Sequence, residues 1–477
     1  MVMTLGLRIG AFLLPVFFHT LAGAGEIWYN EKNTRNEVQD MSRKFAFIGA
    51  GSFTFTRNLV RDLLTFPAFA DCEIALMDIH PERLELIRKV CEKINAAMGT
   101  EARITATLNR REALEGADGV LCTVFNGDID IWRHDIEIPK TFGVDTNIGD
   151  TRSVSGIFRA LRNIPLMLDI CRDIETYCPE AVFLNYTNPM SMLCKAMQTY
   201  SRVRVTGLCH SVQGTVEMLA SWLGVPAEEV QYLCAGVNHQ AFYLKLEHQG
   251  KDLYPALREK LQDPVYYQKE LVRNEMFLHL DYYVTESSGH NSEYNQWFRK
   301  RPDLIEKYCT HSTNWNPGEY AYSLNLRLKR DWKGEFTNWL NTAVVDPKRS
   351  KEYAANIFNA VIGDHTPFRF NGNVLNDGCI SNLPREACVE IPVYASESGF
   401  SKQYVGALPA HLAILVNTTA AIENLVVEAA MEKNRRKVFQ AVCMDPLTSA
   451  VCSLEEIWQM TDALFAVNRD FLGDYKA

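Results

Sequence analysis

Residues 44–52, KFAFIGAGS, decide the fold class of this chain. The run KFAFI is apolar at four of its five positions, which is typical of a strand buried on both faces of a parallel sheet. Gly49 and Gly51 follow, and the segment TRNLVRDLLT after them has apolar residues at helical spacing. A strand, a glycine turn and a helix in this order predict the opening unit of a dinucleotide-binding fold.

The glycine turn also predicts the cofactor. Gly49 allows a tight turn, and Gly51 allows a pyrophosphate to approach the amino end of the following helix. A second apolar strand ends at Asp78, whose carboxylate can bond the adenosine ribose and would repel a 2′-phosphate, so NAD is favoured over NADP. Thr54 stands where the third glycine of the fingerprint belongs. The alternative role for Asp78 is a cap on the helix that begins near Pro81.

Strands and helices continue to alternate after this unit. The segments GADGVLCTVF and EAVFLNYTNPMSM are two further strands, and polar residues gather at their carboxyl ends, where an open parallel sheet binds its ligands. The helix from Ile157 to Ile174 follows a polar loop, and its Arg159 and Arg162 are either solvated or within reach of a substrate hydroxyl. The predicted cofactor-binding residues are Gly49, Ala50, Gly51, Ser52, Asp78 and Asn185.

This alternation predicts an α/β protein with a Rossmann-like, doubly wound parallel sheet of the lactate and malate dehydrogenase type. We expect residues 41–205 to form the NAD-binding domain. Residues 206–477 are expected to form an α+β domain for substrate, metal and oligomerisation, with VQYLCAGVNHQAFYLKLEH as one strand. Residues 1–40 are expected to be an extension outside the fold.

Composition narrows the classes of partner and the compartment. The 477 residues carry a formal net charge of −9 and no dense run of Lys or Arg, so neither nucleic acid nor a membrane is the expected partner. Thirteen cysteines without a CxxC pair favour a reducing compartment, the cytoplasm. LGLRIGAFLLPVFFHTLAGAG has the outline of a signal peptide, but Met41 directly precedes the first strand, so we expect a chain that starts at Met41 to fold and act normally.

A cysteine and a histidine suggest a metal site. Cys209 and His239 are 30 residues apart, and each lies at a predicted strand end beside a glycine turn. Thiolate and imidazole together suit Mn, Fe, Co, Ni or Zn better than Mg or Ca. Two protein ligands would leave an open site that substrate oxygens complete. The alternative is that Cys209 is an ordinary buried thiol.

Five motifs occur in the order found in glycoside hydrolase family 4, which the chain resembles from about Lys44 to MDPLTSAVCSLEEI. They are GAGS (49–52), the strand ending at Asp78, NYTNPM (185–190), CHSV (209–212) and GVNH (236–239). CHSV resembles the α-galactosidase, or melibiase, branch. That branch usually has Gly-Pro-Gly-Gly where this chain has Ser153-Val154-Ser155-Gly156.

The resemblance implies hydrolysis of α-galactosides by oxidation at C3, elimination across C1–C2, addition of water and re-reduction. It implies NAD and a divalent transition metal such as Mn²⁺ as cofactors, with Cys209 and His239 as metal ligands. Asn188 and His210 are the implied sugar-binding residues, and His210 is also a candidate to assist the leaving oxygen. A homodimer or homotetramer acting on a small-molecule α-galactoside is the implied assembly.

The base that removes the C2 proton is sought in DYYVTESSGHNSEY, where Tyr282 or Tyr283 is the candidate. A nearby cation would have to lower the tyrosine pKa from about 10. Alternatively, these aromatic residues only pack, and Glu286 and His290 form a surface pair. His411 is expected to have a structural role rather than to face the sugar.

Three other functions are weighed against α-galactoside hydrolysis. A simple NAD-dependent dehydrogenase shares the opening fold but needs no metal and would accumulate NADH. A sugar-sensing protein without turnover would have little need of a thiolate–metal pair beside a dinucleotide. Within the family, α-glucosidase or α-uronidase activity is the main alternative.

Overall fold

The predicted opening unit is the centre of a parallel sheet in the computed structural model, which describes residues 42–309 and 330–476. Strand β1 (Lys44–Ile48) lies between β2 (Glu73–Met77) and β4 (Gly119–Cys122), parallel to both. The strands β3 (Arg103–Thr107), β5 (Val182–Asn185) and β6 (Arg204–Leu208) extend the sheet in the order β3-β2-β1-β4-β5-β6. This doubly wound order confirms the Rossmann-like fold class.

Helices cover this sheet and form much of the remaining chain. Those described before residue 310 are α1 (Phe53–Leu63), α2 (Pro81–Met98), α3 (Arg110–Leu114), α4 (Ile129–Thr141), α5 (Ser153–Tyr177), α6 (Met190–Tyr200), α7 (Ser211–Leu223), α8 (Tyr254–Lys260), α9 (Pro264–Tyr267), α10 (Leu271–Leu280), α11 (Ser288–Tyr294) and α12 (Pro302–Cys309). Those described after residue 329 are α13 (Trp332–Thr342), α14 (Ala354–Ile362), α15 (Ala410–Glu432), α16 (Arg435–Met444), α17 (Pro446–Val451), α18 (Leu454–Val467) and α19 (Arg469–Leu472).

Strand β1 supplies both sides of the core. Phe45 and Phe47 enter an apolar cluster shared with α1, α2 and α14. Ala46 and Ile48 point to the opposite face and enter a second cluster with α5, α16 and α18. Because neighbouring residues in a strand face opposite sides, a continuous apolar run is what a sheet covered on both faces requires.

The second part of the chain continues the same sheet with antiparallel strands. These are β7 (Val230–Val237), β8 (Gln240–His248), β9 (Lys251–Asp252), β10 (Phe368–Leu375), β11 (Cys388–Ser396) and β12 (Gly399–Lys402). Beyond β6 the order is β10-β11-β7-β8-β9, and β12 pairs with the free part of β11. The predicted single strand over residues 230–248 was wrong, because Asn238 and His239 form the tight turn of a hairpin between β7 and β8.

One helix among the described residues, α15, has the length and apolar composition to cross a membrane. Its buried side contributes to both apolar clusters, through Leu412 and Val416 in one and Val426 in the other. Thr419 on the same helix donates a hydrogen bond to Gln240 Oε1, 2.7 Å away. These contacts are those of a core helix, since its apolar side chains pack inside the fold.

The structure bears on the predicted domain boundary but does not describe the predicted N-terminal extension. The described residues 42–309 and 330–476 belong to one compact unit, and β6 spans the predicted boundary at residue 205, so the division into two domains stays a prediction. The predicted extension, residues 1–40, lies outside the described residues. All thirteen cysteines are free thiols, as a reducing compartment would favour.

Candidate functional site

The glycine turn after β1 is held against β2 and the segment after β4. The N–H groups of Gly49 and Ala50 both donate to Met77 O, at 3.0 and 2.9 Å. Gly49 has φ of 83°, and a Cβ there would lie 2.9 Å from the carbonyl carbon of Thr123. Only glycine fits this position, because the conformation is left-handed and the neighbouring backbone leaves no room for a side chain.

Asp78 ties the end of β2 to this turn. Its Oδ2 accepts a hydrogen bond of 2.8 Å from the N–H of Gly51, and its Oδ1 accepts one of 2.9 Å from the N–H of His80. A Cβ at Gly51 would come 2.7 Å from Asp78 Oδ2. The N-cap of α2 is His80, so the alternative of Asp78 as that cap does not hold. Contact of Asp78 with a ribose stays a prediction.

The other residues predicted to bind cofactor or sugar lie along the same edge. Ser52 is the N-cap of α1, and its side chain makes no capping hydrogen bond. The side chain of Asn185 is engaged inside its own turn, where Nδ2 donates to Thr187 O and Oδ1 accepts from Thr187 N–H, both at 3.0 Å. Asn188 has a buried Oδ1 without a partner in the described structure, as a group reserved for a ligand would.

Cys209 and His239 come together, as their positions at strand ends predict. Cys209 Sγ lies 3.3 Å from His239 Nε2, and the relative exposures of the two residues are 8% and 4%. Glu286 joins them, because its Oε2 lies 3.4 Å from the same Nε2. The three donor atoms lie within 4.8 Å of one another. We call Cys209, His239 and Glu286 the donor cluster.

The sheet explains how distant parts of the chain build this cluster. Cys209 directly follows β6, whose Leu208 pairs with Gly372 of β10. Strand β11 then connects β10 to β7, and His239 occupies the turn after β7. His239 and Glu286 have φ of 61° and 67°, a left-handed conformation that costs a non-glycine residue energy. Two strained residues in one cluster indicate that packing around it enforces their positions.

Glu286 also contacts His290, whose imidazole lies between the carboxylates of Glu286 and Asp150. Its Oε1 lies 3.3 Å from His290 Nδ1, and His290 Nε2 lies 3.4 Å from Asp150 Oδ1. Burial disfavours the imidazolium, but the carboxylates of Glu286 and Asp150 outweigh it and raise the pKa of His290 to about 9. His290 is 4% exposed, so the alternative of a surface pair with Glu286 was wrong.

A buried arginine supports the turn that carries His239. Arg152 Nη2–H donates to Asn238 O, and Nε lies 3.3 Å from Glu423 Oε1. The Arg152 guanidinium lies over the ring of Tyr294, 4.9 Å from its centroid. Because all these groups are buried, the pair with Glu423 compensates a charge that water cannot reach.

The predicted catalytic tyrosines lie elsewhere. Tyr283 is fully buried in another apolar cluster, and its hydroxyl donates to Asn274 Oδ1 at 2.9 Å. Burial raises the pKa of Tyr283 well above its usual value, the wrong direction for a base. Tyr282 lies beside His411, with ring centroids 6.2 Å apart, and His411 Nε2–H donates to Leu280 O. No contact among the described residues joins either tyrosine to the donor cluster.

His210 is open to a ligand, whereas Arg162 and Arg159 are engaged by other side chains. The side chain of His210 is 63% exposed, and its Nδ1 lies 3.9 Å from Glu352 Oε1, so it is open to a ligand. Arg162 is neither solvated nor free to bind a substrate, because its guanidinium is buried against Asp135 and donates to Asn468 Oδ1. Arg159 lies over the ring of Phe125, 5.0 Å from its centroid.

Sequence reasoning missed two buried acids near the site. Glu390 lies in β11 and Glu423 in α15, each within an otherwise apolar stretch. Burial and the nearby Glu286 carboxylate raise the pKa of Glu390 to about 8. The available signal was a carboxylate among apolar neighbours in the sequence, since such a charge is rarely buried without a partner or function.

The four residues that depart from the α-galactosidase pattern, 153–156, begin helix α5, and the first of them is strained. Ser153 has φ of 60°, and its buried Oγ has no hydrogen-bond partner in the described structure. A glycine, the residue expected there from the resemblance, would adopt this conformation without strain.

We expect Ser153→Gly to raise the free energy of unfolding by about 1 kcal/mol, because relief of strain and of a buried hydroxyl exceeds the entropic cost of glycine. Urea unfolding followed by tryptophan fluorescence measures the change. The matched control is Ser155→Gly, which should destabilise, because Ser155 lies in α5 and donates to Asp135 O at 2.6 Å. A loss of stability in Ser153→Gly would contradict the strain argument.

Comparison with known proteins identifies the family of the chain. Residues 44–225 match the model of family 4 glycosyl hydrolases, and residues 234–448 match that of their C-terminal domain. The chain is 37% identical to an α-galactosidase of Bacillus subtilis (strain 168), over 91% of this chain and 100% of the relative. It is also 37% identical to an α-galactosidase of Rhizobium meliloti (strain 1021), over 91% and 90% of the two chains.

A solved structure shows the same fold. It is a 6-phospho-α-glucosidase from gut microorganisms in complex with NAD and Mn²⁺, with a TM-score of 0.77 at 20% identity. The match covers 91% of this chain and 100% of that one. With both family models matched over most of the chain, this protein belongs to glycoside hydrolase family 4.

Proposed function

We propose that this enzyme hydrolyses α-galactosides with the help of NAD and a divalent transition metal such as Mn²⁺. The observation that carries the proposal is the donor cluster, which lies at the same sheet edge as the glycine turn. The similarity to two α-galactosidases over nearly their full lengths supports the substrate class. The complex of a protein of the same fold with NAD and Mn²⁺ supports the cofactors.

The residues present fit a metal ion. Thiolate, imidazole and carboxylate donors together suit a transition metal of the Mn to Zn series. Cys209 and His239 are the proposed ligands, and the position of Glu286 makes it a third. Burial lowers the pKa of His239 to about 4, which keeps the imidazole neutral and therefore able to bind a cation.

The residues also fit NAD. Gly49 and Gly51 leave the backbone open where side chains would clash, and Asp78 stands at the end of β2. Bound beside these residues, NAD would supply hydride acceptance and return at sugar C3, and a metal held by the donor cluster would supply the Lewis acidity that makes the C2 proton acidic.

The chain's own residues supply positioning and proton transfer. Asn188 presents a buried, unpartnered carbonyl oxygen at the end of β5, the neighbour of β6, and is proposed to orient sugar hydroxyls. His210 is exposed and is proposed to contact the sugar or the leaving oxygen. We move the proton acceptor from Tyr282 or Tyr283 to the carboxylate of Glu286. His290, whose raised pKa keeps it an imidazolium, holds this carboxylate from 3.3 Å away.

The compartment and assembly belong to the same proposal. Free thiols throughout the described residues, and a proposed thiolate ligand, suit the reducing conditions of the cytoplasm. A cytoplasmic site would also provide NAD. A homodimer or homotetramer is the proposed assembly, with no nucleic-acid or membrane partner.

A panel of aryl α-glycosides tests the substrate class. With NAD, Mn²⁺ and a thiol reductant present, we expect the aryl α-galactoside to be hydrolysed at least about 10 times faster than the α-glucoside, the α-galacturonide or a 6-phospho-α-glucoside. The reason is that one mispositioned hydroxyl in a site built to bond it costs more than about 1.4 kcal/mol. A preference for another glycoside would contradict the substrate assignment, and net NADH production would favour a simple dehydrogenase.

A further inference from the structure

His239 is held on both of its ring nitrogens. Nε2 faces the donor cluster, 3.3 Å from Cys209 Sγ and 3.4 Å from Glu286 Oε2. Nδ1, on the opposite side of the ring, lies 3.3 Å from the hydroxyl oxygen of Tyr294. Tyr294 therefore reaches the donor cluster from behind, on the side of the His239 ring away from Cys209.

This geometry has a consequence for the protonation of the ring. A histidine that binds a metal through Nε2 must carry its proton on Nδ1, because a neutral imidazole has one N–H. The Tyr294 oxygen is placed to accept a hydrogen bond from that N–H. Such a bond fixes both the tautomer and the rotation of the ring, as partners behind metal-binding histidines commonly do.

Tyr294 itself is fixed from several sides. It is 2% exposed and is the last residue of α11. The preceding residue, Glu293, accepts hydrogen bonds from the N–H groups of Asn147, Ile148 and Gly149, which anchors the end of this helix. Because so many contacts restrain it, the phenol cannot swing away without a large rearrangement.

Arg152 joins the tyrosine to the turn that carries the histidine. Its guanidinium lies over the Tyr294 ring, and its Nη2–H donates to the carbonyl oxygen of Asn238, the residue before His239. The ring of Tyr294 and the backbone of the hairpin turn are thus held by one buried cation. This restraint matters because His239 has a strained left-handed backbone.

We propose that Tyr294 is a positioning residue that holds His239 with Nε2 directed at the metal and its proton on Nδ1, supported by Arg152. The proposal rests on the proposed metal-dependent function. It assigns a role to a tyrosine of this segment other than that of a base. Tyr294 does not touch substrate in this role, since it acts through His239.

The test measures Mn²⁺ binding to NAD-loaded protein by electron paramagnetic resonance of free Mn²⁺. We expect Tyr294→Phe to weaken Mn²⁺ binding about 10- to 100-fold and to leave NAD affinity unchanged. The matched control is Tyr243→Phe, which also removes one hydroxyl from a fully buried tyrosine, bonded to Val212 O. Tyr243→Phe should bind Mn²⁺ like the wild type.

A second readout does not depend on affinity. With Co²⁺ in place of Mn²⁺, the visible absorption bands should shift in Tyr294→Phe and not in Tyr243→Phe, since a rotated imidazole changes the ligand field. If Tyr294→Phe does not fold, 3-fluorotyrosine at position 294 keeps the shape and weakens the oxygen as an acceptor, so weaker Mn²⁺ binding is again expected.

Equal Mn²⁺ affinity and equal Co²⁺ spectra in the two Phe variants would overturn the role of Tyr294 while leaving the metal site intact. A wild-type protein that binds no Mn²⁺ would instead overturn the proposed function, and the inference with it.

Discussion

Cys209→Ser should lower the rate of α-galactoside hydrolysis by about 10³-fold or more. A metal ion acting as a Lewis acid is worth several kcal/mol in the transition state, and each 1.4 kcal/mol corresponds to a factor of ten in rate. A serine hydroxyl is a poor substitute for a thiolate toward a transition metal, so the variant should lose the ion. NAD affinity should stay within about twofold, because the glycine turn and Asp78 involve separate residues.

The measurement combines steady-state rates with NAD titration by tryptophan fluorescence. Chelation of the wild type followed by Mn²⁺ addition should reproduce the loss and then the recovery of activity. Cys91→Ser is the matched control, since Cys91 is also a buried thiol but lies in α2, in a cluster with Ile87 and Val90. A Cys209→Ser variant with full activity, or a wild type active in excess chelator, would make Cys209 an ordinary interior thiol.

The parts of the fold that sequence predicted well are those governed by local rules. The apolar run before Gly49, the glycine turn and the helix after it are all in the structure, because burial on two faces and a tight turn constrain nearby residues alone. The edge strand β3 was missed, since RITAT is half exposed and lacks the apolar run of a central strand.

The hairpin turn was harder to predict because it breaks the local rule. A two-residue turn with a left-handed residue normally has glycine or asparagine at that position, whereas His239 has φ of 61°. The sequence VNHQ therefore lacks a turn signal. The backbone preference of histidine is overridden at His239, the residue that we propose binds metal. Conflicts between local preference and fold are expected at functional residues.

The donor cluster shows what motif spacing supplies and what it omits. Cys209 and His239 were paired by their positions at strand ends, and their side chains meet. Glu286 was placed among the candidates but could not be paired with His239, because the loop that carries it has no regular register with the sheet. Tyr282 or Tyr283 was preferred as the base on chemistry, yet the Tyr283 hydroxyl bonds Asn274 inside another apolar cluster, which only tertiary packing decides.

Hydrolysis in heavy water should give galactose that carries deuterium at C2. The proposed route removes the C2 proton to an acceptor on the protein and later returns one, so exchange with solvent before the return introduces the label. A displacement at C1 leaves the C2 hydrogen in place. Since the substituent leaves by elimination, an aryl group should offer little advantage over an alkyl group, and a thiogalactoside should be cleaved too.

The same experiment separates the two assignments of the proton acceptor. His290→Asn should lose about 10²-fold or more in both hydrolysis and C2 labelling, because it removes the imidazolium that holds the Glu286 carboxylate. Tyr283→Phe should retain both, because its hydroxyl bonds Asn274 and not the donor cluster. Mass spectrometry and NMR measure the deuterium at C2 of the galactose product. Removal of NAD should abolish turnover entirely. Product with unexchanged C2 hydrogen, formed by enzyme stripped of NAD, would exclude the oxidation–elimination route, whereas loss of labelling in Tyr283→Phe alone would return the base to that tyrosine.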